Sequence, residues 1–578
     1  MEDLKHFERV QQFAALSQRA YALFVRLTVL KSRAIVTDEF EINDVTTIWS
    51  AFSKTWMEIA ASPQKWLSMQ SASLAALSDA LANSAEISSD RRFRDKEWER
   101  DPFAKAFREG YGVIEKVAKS ALEALPAGTK EHLRVQFYTR QIVSALSPSN
   151  FIMLNPSARK RFLDSEGQSL LDGFENLLHD LEKGDGRLDI STNDRTVFVV
   201  GRDLATTPGK VIYQNALMEL IQYEPTTKEQ WKTPILLVPA WINKYYIFDL
   251  RPENSFVRYL VDQGYTVFVI SWVNPDKRHA DKDFADYMEL GPLAAIDMIE
   301  KATSETKVNI LGFCIGGILV TATAAYVAAV GEDRLATVTT LATMIDFRDV
   351  GEIGVFIDSD RLTALRSHMA EKGYLENYHL QDMFSMIREN DLVWSYHVNN
   401  YLLGRNPPAF DLLYWNSDST RLPAKMLLWY LEKIYIQNAL REEGALTLKG
   451  KPINISKIEV PMFVLATKDD HIAPWNSVYP TTQIVRDVTF VLGGSGHIAG
   501  VINPPSQKKK YGFWTGKDYA VDHETWLATA KQNSGSWWPF WEKWLAERHP
   551  DTKVASRFPG SAGSKIISQA PGSYVKIQ

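Results

Sequence analysis

The stretch VNILGFCIGGILV, residues 308–320, constrains this chain more than any other. An apolar run ends in G-F-C-I-G-G and passes straight into a long Ala- and Thr-rich run. The order is strand, tight turn, helix. Glycines on either side of the turn let backbone and helix approach closely, and the strained turn lifts the middle side chain clear of the sheet. That side chain is Cys314, the only cysteine in 578 residues. A lone cysteine is usually a buried small hydrophobe. This one stands where a nucleophile elbow puts its nucleophile, with the positive end of a helix turned on the thiol.

The same grammar repeats around it. Short apolar runs occur at TPILLVPAW (233–241), YTVFVISW (265–272), KVNILGF (307–313), ATVTTLATMID (336–346), PMFVLATKDD (461–470) and VTFVLGGSGH (488–497). Helix-like segments such as PENSFVRYLVDQG and YMELGPLAAIDMIEKA separate them. Apolar strands joined by helical crossovers predict a mainly parallel sheet covered on both faces. Residues 347–430 break the rhythm with an irregular aromatic segment, expected to be an inserted cap or lid. Residues 1–185 space apolar residues at three and four and predict an all-helical N-terminal domain. The polar, Gly- and Asp-rich stretch 179–196 is the expected linker. The catalytic domain is therefore expected to span 186–578.

Composition narrows the function. Hydrophobic residues make up 45% and charged residues 23%, which fits a folded chain. A net charge of −5 offers no basic field for nucleic acid. One cysteine excludes an internal disulfide and a Cys-rich zinc site, and fits a reducing cytoplasm. No run of 18 apolar residues and no apolar leader core are present, so no membrane span is expected. Dinucleotide, P-loop and H-E-x-x-H patterns are absent, so neither a cofactor nor a metal is expected.

A thiol nucleophile needs a base, and the base needs an orienting acid; on a sheet of this kind they follow in the order nucleophile, acid, base, each after a later strand. PMFVLATKDDHIAPW supplies Asp469, Asp470 and His471, and VTFVLGGSGHIAG supplies His497. A histidine in a Gly/Ser-rich loop directly after a strand suits a mobile general base. Position alone leaves Asp469 and Asp470 both open, and His471 reads as a solvated loop residue. An oxyanion hole is expected from the N–H of Ile315 and from the loop after PILLVPAW, at Trp241. Lys508, Lys509 and Lys510 read as a solvated charge run. Trp537, Trp538, Trp541 and Trp544 read as packing of a last helix on the core.

Further stretches carry a resemblance. They are DRRFRDKEW (90–98), SPSNFIMLNP (147–156), INKYYIFDLRPENS (242–255), SWVNPD (271–276), GFCIGG (312–317) and NDLVWSYHVNNYL (390–402). FDLLYWNSDSTRLP (410–423), DDHIAPW (469–475), GGSGHIAGVINPP (493–505), GSWWPFW (535–541) and APGSYVK (570–576) complete the set. In this order they resemble class I polyhydroxyalkanoate synthases over most of the chain. The resemblance implies an α/β-hydrolase core behind a helical N-terminal domain, with Cys314 as nucleophile, His497 as base and Asp470 rather than Asp469 as acid. It implies polymerisation of (R)-3-hydroxyacyl-CoA through a covalent Cys thioester, with CoA as leaving group and no cofactor. Asp470 has two implied roles: orienting His497, or activating the incoming hydroxyl. A homodimer, short-side-chain monomers and a cytoplasmic place on polymer granules, beside granule-associated proteins, are implied as well. The competing reading is an acyl-CoA thioesterase on the same Cys-His-Asp set.

Overall fold

The computed structural model describes residues 2–34, 45–82, 90–125, 129–548, 552–561, 563 and 565–578. It divides into two compact units. One holds Met1–Asp194 together with Gln381–Phe410, and the other Arg195–Leu380 together with Asp411–Gln578.

In the first unit the major helices are α1 (Glu2–Ala34), α2 (Val45–Ala60), α3 (Pro63–Ala82), α4 (Pro102–Glu123), α5 (Lys130–Ala145), α6 (Pro156–Asp164) and α7 (Gln168–Lys183). Their starts are written locally. Asp101 accepts from the N–H groups of Phe103 and Ala104 ahead of Pro102, and Asn155 accepts from Ala158 ahead of Pro156. Phe93 and Trp98 of the DRRFRDKEW motif meet edge to face at 4.9 Å beside Tyr111. Arg92 ties the same corner together through Asp90, Glu115 and the Tyr111 hydroxyl.

Residues 381–410 depart from the sequence reading, which placed them in the cap and ended the helical domain at 185. They group with the helices for a polar reason. Ser144 Oγ donates to the buried Glu389 at 3.0 Å, and Gln141 donates to the Met386 carbonyl at 2.9 Å. The Tyr401 hydroxyl donates to the buried Asp180 at 2.6 Å, and Arg187 pairs with Asp382 at 3.0 Å. Buried polar groups of this kind cost about 1–3 kcal/mol each when a partner is removed.

The second unit is built on an eleven-stranded sheet. Its strands are β1 (Gly209–Gln214), β2 (Met218–Tyr223), β3 (Ile235–Val238), β4 (Val267–Trp272), β5 (Val308–Phe313), β6 (Leu335–Leu341), β7 (Met462–Thr467), β8 (Val488–Gly493), β9 (Gly512–Thr515), β10 (Lys531–Ser534) and β11 (Ser568–Gln569). The spatial order is β10-β9-β8-β7-β6-β5-β3-β4-β2-β1-β11. From β8 to β4 every neighbouring pair is parallel, and the flanking pairs are antiparallel. The six parallel strands are the six apolar runs of the sequence. β5 and β7 are buried at every position, as a strand covered on both faces must be. Helix α8 (Ile315–Val330) follows β5, and nearly all of it is buried. Helix α9 (Ser359–Lys372), the short helices α10 (Asn377–Ile387) and α11 (Ala424–Tyr430), and a closing helix α12 (Trp538–Ala546) complete the elements used below.

Candidate active site

The elbow is built by exclusion. Cys314 has φ +54° and ψ −124°, a conformation that L-residues reach only under constraint. The constraint is crowding around its neighbours. A Cβ on Gly312 would lie 2.5 Å from the Gly317 Cα, one on Gly316 2.4 Å from the Val238 carbonyl oxygen, and one on Gly317 2.0 Å from Thr343 Oγ1. Strand end, helix start and the loop after β3 therefore touch backbone to backbone. The same contact brings residues 238–239, three and two positions before Trp241, against the first turn of α8.

Asp470 and His497 end strands β7 and β8. His497 Nδ1 lies 2.8 Å from Asp470 Oδ2, and both side chains are buried. Asp470 is held on every side: Thr467 Oγ1 donates to Oδ2 at 2.8 Å, and the N–H groups of Ile472 and Ala473 donate to Oδ1 at 2.9 and 2.8 Å. Burial pushes this carboxyl up, but the His497 charge and these hydrogen bonds outweigh it and hold the carboxylate below its usual range. His497 shows the mirror image. Burial disfavours its charge, yet Asp470 and then Cys314, each by charge and by hydrogen bond, raise it well above the ordinary histidine value. Asp470 and His497 are thus joined by a hydrogen bond, and Cys314 lies close enough to His497 for its charge to act on the ring. Asp469, the alternative acid, is exposed and meets the base loop only through its backbone N–H, which donates to the Ser495 carbonyl at 3.0 Å.

Around this line the structure adds residues that the motifs did not single out. Phe313 stacks on the His497 ring at 5.2 Å. Tyr430 and Tyr435 pack edge to face at 5.6 Å, and burial pushes both phenols up; the Cys314 charge contributes to each rise. Both hydroxyls therefore stand in the field of the nucleophile. Residues five apart share a face only where the helix widens, and Leu431–Ile436 is a π-helical turn.

Trp241 is buried in an aromatic cluster, with its ring 5.0 Å from Tyr287 and 6.1 Å from Trp272. Its carbonyl accepts a hydrogen bond from Thr420 Oγ1. Ile315 opens α8, so its N–H is one of the helix's free leading donors. Lys508, Lys509 and Lys510 are exposed. The four tryptophans are packing residues with a second use. The Trp537 indole donates to the carbonyls of Gly500 and Val501 at 3.0 and 3.1 Å, and Trp538 to Val501 at 3.0 Å. Trp541 and Trp544 donate to Thr339 on β6 and Thr489 on β8 at 3.0 and 2.9 Å.

A mainly parallel sheet, a strained elbow after a central strand, and a carboxylate and a histidine after two later strands define a protein of the α/β-hydrolase fold with a cysteine at its elbow. The comparisons agree and narrow the class. Residues 233–504 match the model of the alpha/beta hydrolase fold, and residues 89–260 match that of the poly-beta-hydroxybutyrate polymerase (PhaC) N-terminus. A poly(3-hydroxyalkanoate) polymerase of Methylorubrum extorquens is 44% identical over 551 residues, spanning 93% of this chain and 91% of that protein. The poly(3-hydroxyalkanoate) polymerase subunit PhaC of Cupriavidus necator is 40% identical over 524 residues, spanning 89% and 88%. The chain belongs to the poly(3-hydroxyalkanoate) polymerase family.

Proposed function

We propose that this chain takes (R)-3-hydroxyacyl units from their CoA thioesters and joins them into polyester, carrying the acyl chain as a thioester on Cys314. The observation that supports it most is the strained elbow that presents Cys314, with the buried His497–Asp470 pair after later strands and a thiol where hydrolases of this fold carry a hydroxyl. His497 takes the thiol proton as sulfur attacks the thioester carbonyl. The carbon–sulfur bond to CoA then breaks, and CoA leaves with the proton from His497. A 3-hydroxyl group next gives its proton to His497 and attacks the Cys314 thioester. An ester bond forms and the thiol is regenerated by proton return. Asp470 fixes the His497 tautomer and balances the imidazolium charge. The Ile315 N–H and a donor from the loop ending at Trp241 steady the oxyanion.

A thiol is chemically apt. Thioester-to-thioester exchange is close to thermoneutral, so the acyl group stays activated for transfer to an alcohol. Water must be kept from that intermediate, and the aromatic wall formed by Tyr430, Tyr435 and Trp241 serves this purpose. Class I specificity for short side chains, a homodimer, and work in the cytoplasm at the surface of polymer granules, alongside granule-associated proteins, belong to the same reading.

The test is CoA release from (R)-3-hydroxybutyryl-CoA with recovery of the acyl product. Polymer is expected. Free hydroxyacid would make the protein a thioesterase, and unchanged polymer from Cys314→Ala would overturn the covalent route.

A further inference from the structure

A second constellation of chemistry-bearing side chains lies on α9 and the start of α10, apart from the residues of the candidate active site. His368 on α9, Glu376 in the following turn, and His379 in the first turn of α10 converge. His368 Nε2 is 3.3 Å from Glu376 Oε2, and His379 Nε2 is 3.9 Å from the same oxygen. The three donor atoms all lie within 4.8 Å of one another. The two imidazoles meet edge to face at 5.2 Å, and all three side chains are largely withdrawn from solvent.

His368 Nε2 is at the long end of hydrogen-bond range from Glu376 Oε2, and His379 Nε2 lies beyond it. Bonds of about 2.0–2.2 Å to a small divalent ion place tetrahedral neighbours roughly 3.3–3.5 Å apart, a spacing that His368 and Glu376 already hold and that His379 reaches by a shift of about half an ångström. Two neutral imidazoles and one carboxylate are also a donor set that borderline cations such as zinc prefer over magnesium or calcium. The other Glu376 oxygen already has its partner, the ammonium of Lys372, so Oε2 is left facing the histidines. We propose that His368, Glu376 and His379 form a site for one borderline divalent cation of the zinc type. The cation would bridge α9 to the start of α10, close to where Tyr374–Leu375 pairs with Leu422–Pro423. With three protein ligands, one coordination position stays open to solvent.

The test uses the full chain, stripped with chelator and titrated with Co2+ as a spectroscopic probe, then with Zn2+. One Co2+ per chain is expected, with visible absorption of low-coordinate nitrogen–oxygen ligation and displacement by Zn2+. His368→Gln and Glu376→Gln should each weaken Co2+ binding by at least about tenfold. Lys372→Ala leaves all three ligands in place and should bind at least as tightly as wild type, which keeps the proposal testable should a ligand variant fold poorly. The same titration in Cys314→Ser excludes the thiol as the ligand. No saturable Co2+ uptake by wild type, uptake unchanged in both ligand variants, or a signal lost in Cys314→Ser would each overturn the site.

Discussion

The elbow loop 312–317 and the base loop 493–503 both leave parallel strands of one sheet, yet they are held by opposite means. The elbow is held by what does not fit. At Gly312, Gly316 and Gly317 an added methyl would meet backbone or a buried threonine at 2.0–2.5 Å. The base loop is held by directional bonds: the indoles of Trp537 and Trp538 donate to its carbonyls, and the His497 ring donates to Asp470, itself fixed by Thr467. A nucleophile must be fixed in a strained backbone, which packing does well. A base must keep its ring orientation while its proton comes and goes, which directional bonds do better.

The sharpest way to test this contrast is at the reacting atoms. Cys314→Ala should lower kcat/KM at least about 10⁴-fold, with a thermal midpoint within a few degrees of wild type, since the loss is chemical and not architectural. Asp470→Asn should cost about 10²–10⁴-fold in kcat, and it carries a pH signature. The raised His497 contributes stability that is complete below the ordinary histidine range and is lost as pH climbs through its elevated folded value. Removing the carboxylate removes the largest influence raising it. The His497 ring, followed by NMR, should therefore titrate at lower pH, and the alkaline loss of stability should begin earlier. An unmoved titration would mean that Asp470 does not set the state of the base.

Gly316→Ala attacks the elbow instead. Its methyl would meet the Val238 carbonyl, which is rigid backbone, so about 2–3 kcal/mol of stability should be lost. Denaturant unfolding would show a lower midpoint. Trp537→Phe attacks the base loop: it deletes the donor and puts a smaller aromatic ring in its buried place, and should cost about 1–2 kcal/mol while kcat falls less than in Asp470→Asn. If Gly316→Ala were neutral, or if Trp537→Phe exceeded it, the contrast between the two loops would fail.

Most of what defines the second unit was legible in the sequence, for a physical reason. Strands buried on both faces must be apolar throughout, so the six parallel strands announce themselves as unbroken runs. The flanking antiparallel strands do not. KQNS at β10 and GFWT at β9 carry too little apolar pattern to stand out, and the pairing of β1 with β2 was hidden in a stretch without a clear period. Cys314 and His497 could be singled out because strand-end loops have few reasons to hold such residues. The choice between Asp469 and Asp470 depends on which side chain meets His497, 27 residues later, and position in the chain could not supply that. Tyr430 and Tyr435 were unreadable because their common face depends on a π turn. Residues 381–410 were misplaced because the groups that claim them, Asp180, Ser144 and Gln141, are more than two hundred positions earlier.

The indoles of Trp537 and Trp538 bear on how the enzyme is made. Synthesis delivers Cys314, Asp470 and His497, the proposed nucleophile, acid and base, before the indole donors to the loop 493–503, which emerge only after residue 536. The residues that crowd the elbow, Val238 to Thr343, are all synthesised well before those donors. On the proposed mechanism the thiol of Cys314 is made before the groups that order its base, and turnover requires the chain to be complete through Trp538.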